Sequence, residues 1–405
     1  MFIKEARARE IKNSRGEKTI EVYIETPNGK FIASAPSGKS KGKYETPAWS
    51  IRGFDWSIKL ANEFLFKIRN KNFQILKFSD FENFERLLKA FENSYEKIGA
   101  NVSYAIETAF LKAASKDNNK EVWEFIKGNR KIKIPKIMPV GNCIGGGLHS
   151  KIEKGEKRPD FQEFLLIPKE DIFKKAFNKN LNAYEHAKKL IKKAEKKWTI
   201  DINDENAIKT SLTNEETLEI LKQTADKFDL RIGIDLASSS FYRQGYYEYK
   251  NKEIMRNALE QEENILFLIE KFDLFYVEDP LQEEDFSGFS SLMKEMKKKK
   301  LSAMIVGDDL TVTNFERTKK AVEKNCINAM IIKPNQNGYL MEVARIIEYC
   351  KEKKIKIIFS HRSGETMDDA LGDYAMGFEA DFVKTGILGK ERLIKLKRII
   401  DIEGS

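Results

Sequence analysis

Three apolar runs of strand length each end on a carboxylate: Arg231-Ile232-Gly233-Ile234-Asp235, Phe275-Tyr276-Val277-Glu278-Asp279 and Met304-Ile305-Val306-Gly307-Asp308. Two more end on lysine, Ala329-Met330-Ile331-Ile332-Lys333 and Asp381-Phe382-Val383-Lys384. A sixth, Ile355-Lys356-Ile357-Ile358-Phe359, runs into Ser360-His361-Arg362-Ser363-Gly364-Glu365-Thr366. From Asp235 through Glu278, Asp308, Lys333 and His361 to Lys384 the steps are 43, 30, 25, 28 and 23 residues. Each step has room for one crossover helix. Strands whose C-terminal ends carry charged residues are how a (β/α) barrel assembles a site at one mouth. Three acids suit a hard cation, and two lysines suit an anionic substrate or a base.

The length of 405 residues allows two domains and a large core. Before the barrel pattern, residues 1–128 read differently. Ile20, Val22 and Ile24 alternate with polar residues, the turn signal Pro27-Asn28-Gly29 follows, and residues 30–35 return as the second strand of a hairpin. Helical periodicity covers 57–69, 80–95 and 99–116. This predicts a small α+β domain, with residues 131–139 as the linker leading into the first barrel strand. Over residues 129–405 helical patterns recur at 170–197, 214–228, 253–271, 287–300, 314–324, 338–353, 365–377 and 389–400, alternating with the strand-like runs. The fold expected is therefore α/β: an N-terminal α+β capping domain on a (β/α) barrel.

No run of about 18 uncharged apolar residues occurs, and the N-terminus has no apolar signal core. Cys143, Cys326 and Cys350 have no metal or disulfide spacing, so reduced, buried thiols in a cytoplasm are expected. The net charge of +9 is spread along amphipathic helices and paired with glutamates, and the run Lys297 to Lys300 reads as a helix C-terminus. These are solvated faces, which argues against a nucleic-acid partner. A basic balance also favours attraction of a polyanionic small molecule. Gly145-Gly146-Gly147 reads as a flexible turn at a strand mouth, and His186 as an exposed helical residue.

Several blocks, in order, carry a resemblance. They are Ala8-Arg9-Glu10-Ile11, Asn13-Ser14-Arg15-Gly16, Pro36-Ser37-Gly38-Lys39-Ser40-Lys41-Gly42, Ile98-Gly99-Ala100-Asn101, Val306-Gly307-Asp308-Asp309-Leu310-Thr311-Val312-Thr313-Asn314, Lys333-Pro334-Asn335-Gln336-Asn337-Gly338, Ser360 to Thr366, Lys384-Thr385-Gly386 and Glu391-Arg392-Leu393. Together they resemble the enolase family, the phosphopyruvate hydratases of glycolysis, over nearly the whole chain. The resemblance implies a barrel whose first strands run in an atypical order. It implies that Asp235, Glu278 and Asp308 hold a first Mg²⁺ and that Ser40, on a mobile loop, binds a second, two per site. Lys333 matches the general base, Glu205 the general acid and Glu163 its partner, with Gln162 before it. Arg362 and Ser363 match a phosphate clamp, Lys384 lies near the substrate carboxylate, and His149 and His361 match active-site histidines. The substrate implied is 2-phospho-D-glycerate, dehydrated reversibly to phosphoenolpyruvate in glycolysis and gluconeogenesis by a lyase, a homodimer or larger homo-oligomer, without a membrane or nucleic-acid partner.

The chemistry of these roles is coherent. Taking a proton alpha to a carboxylate builds a dianion, which needs cations already in place. Pairing a lysine base with Mg²⁺ is what the resemblance to the enolase superfamily implies. Metal and Lys384 are expected to lower the pKa of Lys333, and Glu163 to raise that of Glu205. Arg362 offers a planar fork for phosphate oxygens.

The chain departs from the family pattern in four places, one of them the segment after Tyr44-Glu45, which lacks the family's acidic Arg-Asp stretch. Asn203-Asp204-Glu205-Asn206-Ala207 stands where Gly-Asp-Glu-Gly-Gly is usual; Asn tolerates left-handed backbone and Ala does so poorly. The segment 150–161 is longer and basic, with Lys151, Lys154, Lys157 and Arg158. Lys39 and Lys41 replace a small residue and Thr. Two other functions fit the same residues: a different enolase-superfamily lyase or racemase acting on another carboxylate, and a catalytically silent paralogue serving as a binding protein. The Arg362-Ser363 pair and the Ser40 loop oppose the first; the retained base and acids oppose the second.

Overall fold

The computed structural model describes residues 1–39, 42–128, 134–150, 157–195 and 201–404, with only the backbone of His149. Ser40, the head of the linker and most of the basic segment therefore lie outside the described residues, as does the His149 side chain.

The N-terminal part is a three-stranded antiparallel meander, β1 (Glu5–Lys12), β2 (Lys18–Thr26) and β3 (Gly29–Ser34). The alternation in β2 works as expected: Ile20, Val22 and Ile24 are fully buried. The turn is held by the Asn28 N–H, which donates to Thr26 Oγ1 at 3.1 Å. Strand β1 was not foreseen, because its inner face offers only Ala6 and Ala8, with Arg7 and Arg9 opposite. Helices α1 (Phe54–Ile68), α2 (Phe81–Ser94), α3 (Ala100–Asp117) and the short α4 (Val122–Lys127) complete this part. Most of α3 is buried, since it lies between the meander and the rest of the molecule.

The C-terminal part opens with two strands, β4 (Met138–Gly145) and β5 (Glu163–Pro168), then two helices, α5 (Phe173–Ala194) and α6 (Asn214–Phe228). Six strands follow, each leading to helix: β6 (Leu230–Asp235) to α7 (Ala258–Phe272), β7 (Tyr276–Glu278) to α8 (Phe286–Lys298), and β8 (Met304–Gly307) to α9 (Phe315–Glu323). Then β9 (Ala329–Ile332) leads to α10 (Pro334–Asn337) and α11 (Leu340–Glu352), β10 (Lys356–Ser360) to α12 (Ala370–Gly377), and β11 (Phe382–Gly386) to α13 (Lys390–Glu403). Neighbours pair in parallel, and β11 closes the barrel on β4. The exception is β5, antiparallel to both β4 and β6.

The strands obey period two with both faces buried. Val140, Leu165, Ile167, Tyr276, Met304, Val306, Ala329, Ile331, Ile358 and Phe382 fill the lumen as one cluster. Residues between them, such as Val277, Ile305, Met330, Ile357 and Val383, join the larger core. A fully buried side chain of this size contributes about 1.5–3 kcal/mol. The same parity aims the charged residues. Lys333, Asp308 and Lys384 each stand two positions beyond a lumen residue, Ile331, Val306 and Phe382, so their side chains turn over the mouth.

Carboxylates of the N-terminal part cap a barrel helix. Glu107 accepts from the Leu340 N–H at 2.6 Å and Glu85 from the Met341 N–H at 2.9 Å. Both satisfy orphan donors in the first turn of α11.

Smaller expectations need correction. Residues 254–256 form a strand on the excursion 246–249, and α7 starts only at Ala258. Helix α12 starts at Ala370, leaving 365–369 as loop. His186 is half-buried, edge-on to Phe228 with ring centroids 5.7 Å apart. The glycines at the end of β4 serve close packing: a Cβ on Gly145, its last residue, would meet Asn203 Nδ2 at 2.2 Å, and one on Gly146 would meet the Phe161 carbonyl at 2.4 Å.

Candidate active site

One cavity at the barrel mouth is lined by Gln162, Glu163, Glu205, Asp235, Asp308, Lys333, His361, Arg362, Ser363 and Lys384. Ten of the residues singled out from sequence thus share one space, while Glu278 is fully buried.

Lys384 is the hub of the acids. Its ammonium lies 3.0 Å from Glu163, 2.9 Å from Asp235 and 2.7 Å from Glu278. The reversal of β5 makes this possible. Antiparallel pairing sets Glu163, the first residue of β5, opposite Asp235, the last of β6. Gln162 follows the same geometry, its Nε2 donating to Asp235 Oδ2 at 3.2 Å. Glu278 has its pKa pushed well above the carboxylate range, by burial first and then by Asp235, against the pull of Lys384. It also accepts from the Tyr276 hydroxyl.

Lys333 forms an ion pair with Asp308. Burial pushes the lysine pKa down, as do Arg362 and Lys384, but Asp308 and Glu278 outweigh them and hold it above its usual value. Among the protein's own groups Lys384 acts on Lys333 in the expected direction, and the adjacent carboxylate outweighs it. Asp308 is held below its ordinary value despite burial, mainly by Lys333.

Glu205, Glu163 and His361 come together, with one ligand atom of each within 4.8 Å of the others. Glu205 accepts from Asn142 Nδ2 at 3.3 Å and lies 3.8 Å from His361 Nε2. Burial drives the His361 pKa well below normal, so the imidazole is neutral at pH 7.

At the other end, Ser363 Oγ accepts from the Lys39 N–H at 2.7 Å and from Arg15 Nη1 at 3.2 Å. Arg362 Nη2 donates to both oxygens of Glu45 at 3.0 Å. Asp279 accepts from the N–H groups of Asp308 at 3.0 Å and Asp309 at 2.6 Å, which fixes the strand end. Sequence reading assigned no role to Arg15, Glu45, Asn142, Asn203 or Asp279. Arg15, Asn203 and Asp279 stand in the blocks that carry the resemblance or beside assigned acids, so position is a signal. Glu45 and Asn142 gave none.

The residues suit a hard cation. The donors of Asp235, Glu278 and Asp308 are all oxygen, and Glu278 Oε1 and Asp308 Oδ1 are buried without a hydrogen-bond partner. The tightest acidic groupings among the described residues are Glu163, Glu205 and His361, and Asp279, Asp308 and Asp309. In the expected trio of ligands, ammonium groups bridge the acids instead. Lys384 joins Asp235 to Glu278, and Lys333 pairs with Asp308.

Comparison with known proteins identifies the family. Residues 3–126 match the family model described as enolase, N-terminal domain, and residues 133–405 match enolase, C-terminal TIM barrel domain. The enolase of Methanosphaera stadtmanae is 35% identical over 412 residues, covering 99% of this chain and 96% of that protein. The enolases of Picrophilus torridus and Pyrobaculum aerophilum are 33% and 34% identical, each over 99% of this chain and over 98% and 96% of their own lengths. Among the described residues no helix is long and apolar enough to cross a membrane. With a model matched over each part and relatives aligned along nearly its whole length, the chain belongs to the enolase family of lyases.

Proposed function

We propose that the protein is a Mg²⁺-dependent enzyme that dehydrates 2-phospho-D-glycerate reversibly to phosphoenolpyruvate. The observation that carries this reading is that Lys333 and the Glu205–Glu163 pair line one cavity that also holds Arg362 and Ser363. A base, an acid and an anion clamp are what elimination of water from a phosphorylated carboxylate requires.

Lys333 Nζ removes the proton alpha to the carboxylate. It acts as a base only once its raised pKa falls, and Asp308, ahead of Glu278, is the group that raises it most. Asp308 is also a proposed metal ligand, so its two roles compete, and loosening the ion pair frees the lysine for catalysis. Lys384 holds Glu163, Asp235 and Glu278 together and lies near the substrate carboxylate. Glu205 gives a proton to the leaving hydroxyl, with Glu163 and neutral His361 beside it. Arg362 and Ser363 hold the phosphate. Asp235, Glu278 and Asp308 would hold one Mg²⁺, with a second at Ser40; bound there, the ions supply positive charge for the developing dianion. On the same reading the enzyme works in the cytoplasm as a homo-oligomer, and His149 belongs to the site.

The test is phosphoenolpyruvate formation from 2-phosphoglycerate with Mg²⁺, followed in a coupled assay, with Lys333→Ala as the blank. Turnover by the parent and none by the folded variant is expected. No turnover by the parent, or equal turnover by both, would exclude the proposal.

A further inference from the structure

The Arg362 guanidinium meets a buried carboxylate before it meets any substrate. Glu45 and Arg362 have side chains only 10% and 4% exposed, and one Arg362 nitrogen reaches both Glu45 oxygens at 3.0 Å. Glu45 does not depend on the arginine for its place. Its Oε1 also accepts from the Gly42 N–H at 3.1 Å and from Gln336 Nε2 at 3.2 Å. Gln336 is fixed in turn by the Thr313 hydroxyl at 2.8 Å, and that hydroxyl oxygen accepts from the Lys333 N–H at 3.0 Å. On the other nitrogen, Arg362 Nη1 donates to Asn335 at 3.4 Å. Arg362 lines the cavity and Glu45 is not among its lining residues, which sets the carboxylate on the side of the guanidinium away from the cavity.

We propose that Glu45 is a positioning residue that aims the Arg362 guanidinium at the phosphate group of the substrate. This rests on the function proposed above. A guanidinium has five N–H donors, so a carboxylate on one corner leaves others for an anion while removing the rotational freedom of a long side chain. An acid fixed by its own two donors is a mount; a carboxylate occupying the anion's place would line the cavity itself.

The two roles differ in sign, which makes the test decisive. Glu45→Gln, with Glu45→Asp as a milder second variant, is compared with the parent for KM, kcat, inhibition by inorganic phosphate and calorimetric binding of inorganic phosphate. The expected result for Glu45→Gln is a KM raised roughly tenfold or more, weaker phosphate binding and a smaller change in kcat. In an Arg362→Lys background the same change should add little, because its target is gone. Unchanged KM and phosphate binding with only a lower Tm would make Glu45 purely structural and overturn the proposal. A lower KM with tighter phosphate would also overturn it, since Glu45 would then be a competitor. Phosphate calorimetry needs no turnover. A parent that binds phosphate but leaves 2-phosphoglycerate unchanged faults the functional reading alone.

Discussion

Asn203 Oδ1 accepts from the N–H of Glu205 at 2.9 Å and from that of Ala207 at 3.0 Å, so one side chain closes the loop that carries the proposed acid. The Asn203 N–H returns to the Ala207 carbonyl at 2.9 Å. The left-handed position the loop needs is taken by Asn206, with φ 63°. Ala207 carries no such strain and is fully buried. The loop has exchanged glycine freedom for an asparagine that organises the turn from within.

Asn203→Ala should therefore harm catalysis more than a surface change would. It strands two buried N–H groups, at about 1–3 kcal/mol each, next to Glu205. A loss of about tenfold or more in kcat is expected if only part of that cost falls on the placement of Glu205. Steady-state kinetics beside a melting curve decide it; unchanged kcat would show that the loop holds without Asn203.

Lys384→Met removes the ammonium shared by Glu163, Asp235 and Glu278. Uncompensated buried charge costs about 3–5 kcal/mol. With a chelator present, the Tm of the variant should fall well below that of the parent. Added Mg²⁺ should recover part of the loss, because a cation among the same acids replaces the missing charge. A variant equally unstable with and without Mg²⁺ would place the metal away from these acids.

Glu107 links stability to pH. Burial, then Glu85, raises its pKa well above the usual value, with Glu92 adding to the shift and Lys89 opposing it. Between the ordinary carboxylate pKa and the raised one, the folded chain binds more protons than the unfolded chain. Stability then falls as pH rises through that window. Glu107→Gln stays neutral throughout. Its advantage over the parent should be larger at pH 8 than at pH 5 in urea unfolding, whereas parallel profiles would mean the group does not titrate in that range.

Arg362→Lys keeps the charge but cannot serve Glu45, Asn335 and an anion at once. Losing hydrogen bonds between charged groups should raise KM for 2-phosphoglycerate by about 10–100-fold and weaken phosphate inhibition in step. If neither moves, Arg362 does not hold phosphate.

What was legible in the sequence depended on whether the signal was local. Charged residues after the runs at 235, 278, 308, 333 and 384 marked strand ends, because period two carries lumen parity straight into the mouth. Helix α6 agrees with its periodicity over 214–228, and its Thr213–Glu216 capping box marks the start. The start of α7 carried the same signal, Asn257 with Glu260, which the longer periodic window obscured. The reversed direction of β5 also left a trace. In Gln162-Glu163-Phe164-Leu165-Leu166-Ile167 the acid precedes the apolar run, where at 235, 278 and 308 it follows. Glu45 on Arg362 had no such trace, since its 317-residue separation along the chain is bridged only by the fold.

The reversed strand also sets the most demanding test, because it brings Glu163 beside Glu205. Glu205→Gln should still exchange the alpha proton of 2-phosphoglycerate with deuterated solvent, since Lys333 is intact and stands on a different strand end. Elimination should slow by roughly 10²–10⁴-fold, the usual contribution of a general acid. Gln keeps an oxygen able to accept from Asn142 and matches the size of the carboxylate, so the cavity should keep its shape. NMR of the exchange, run beside phosphoenolpyruvate formation, separates the two steps. Equal loss of both would remove Glu205 from the acid role. No loss of either would shift that role to Glu163, whose carboxylate faces the same cavity and is already bound to Lys384.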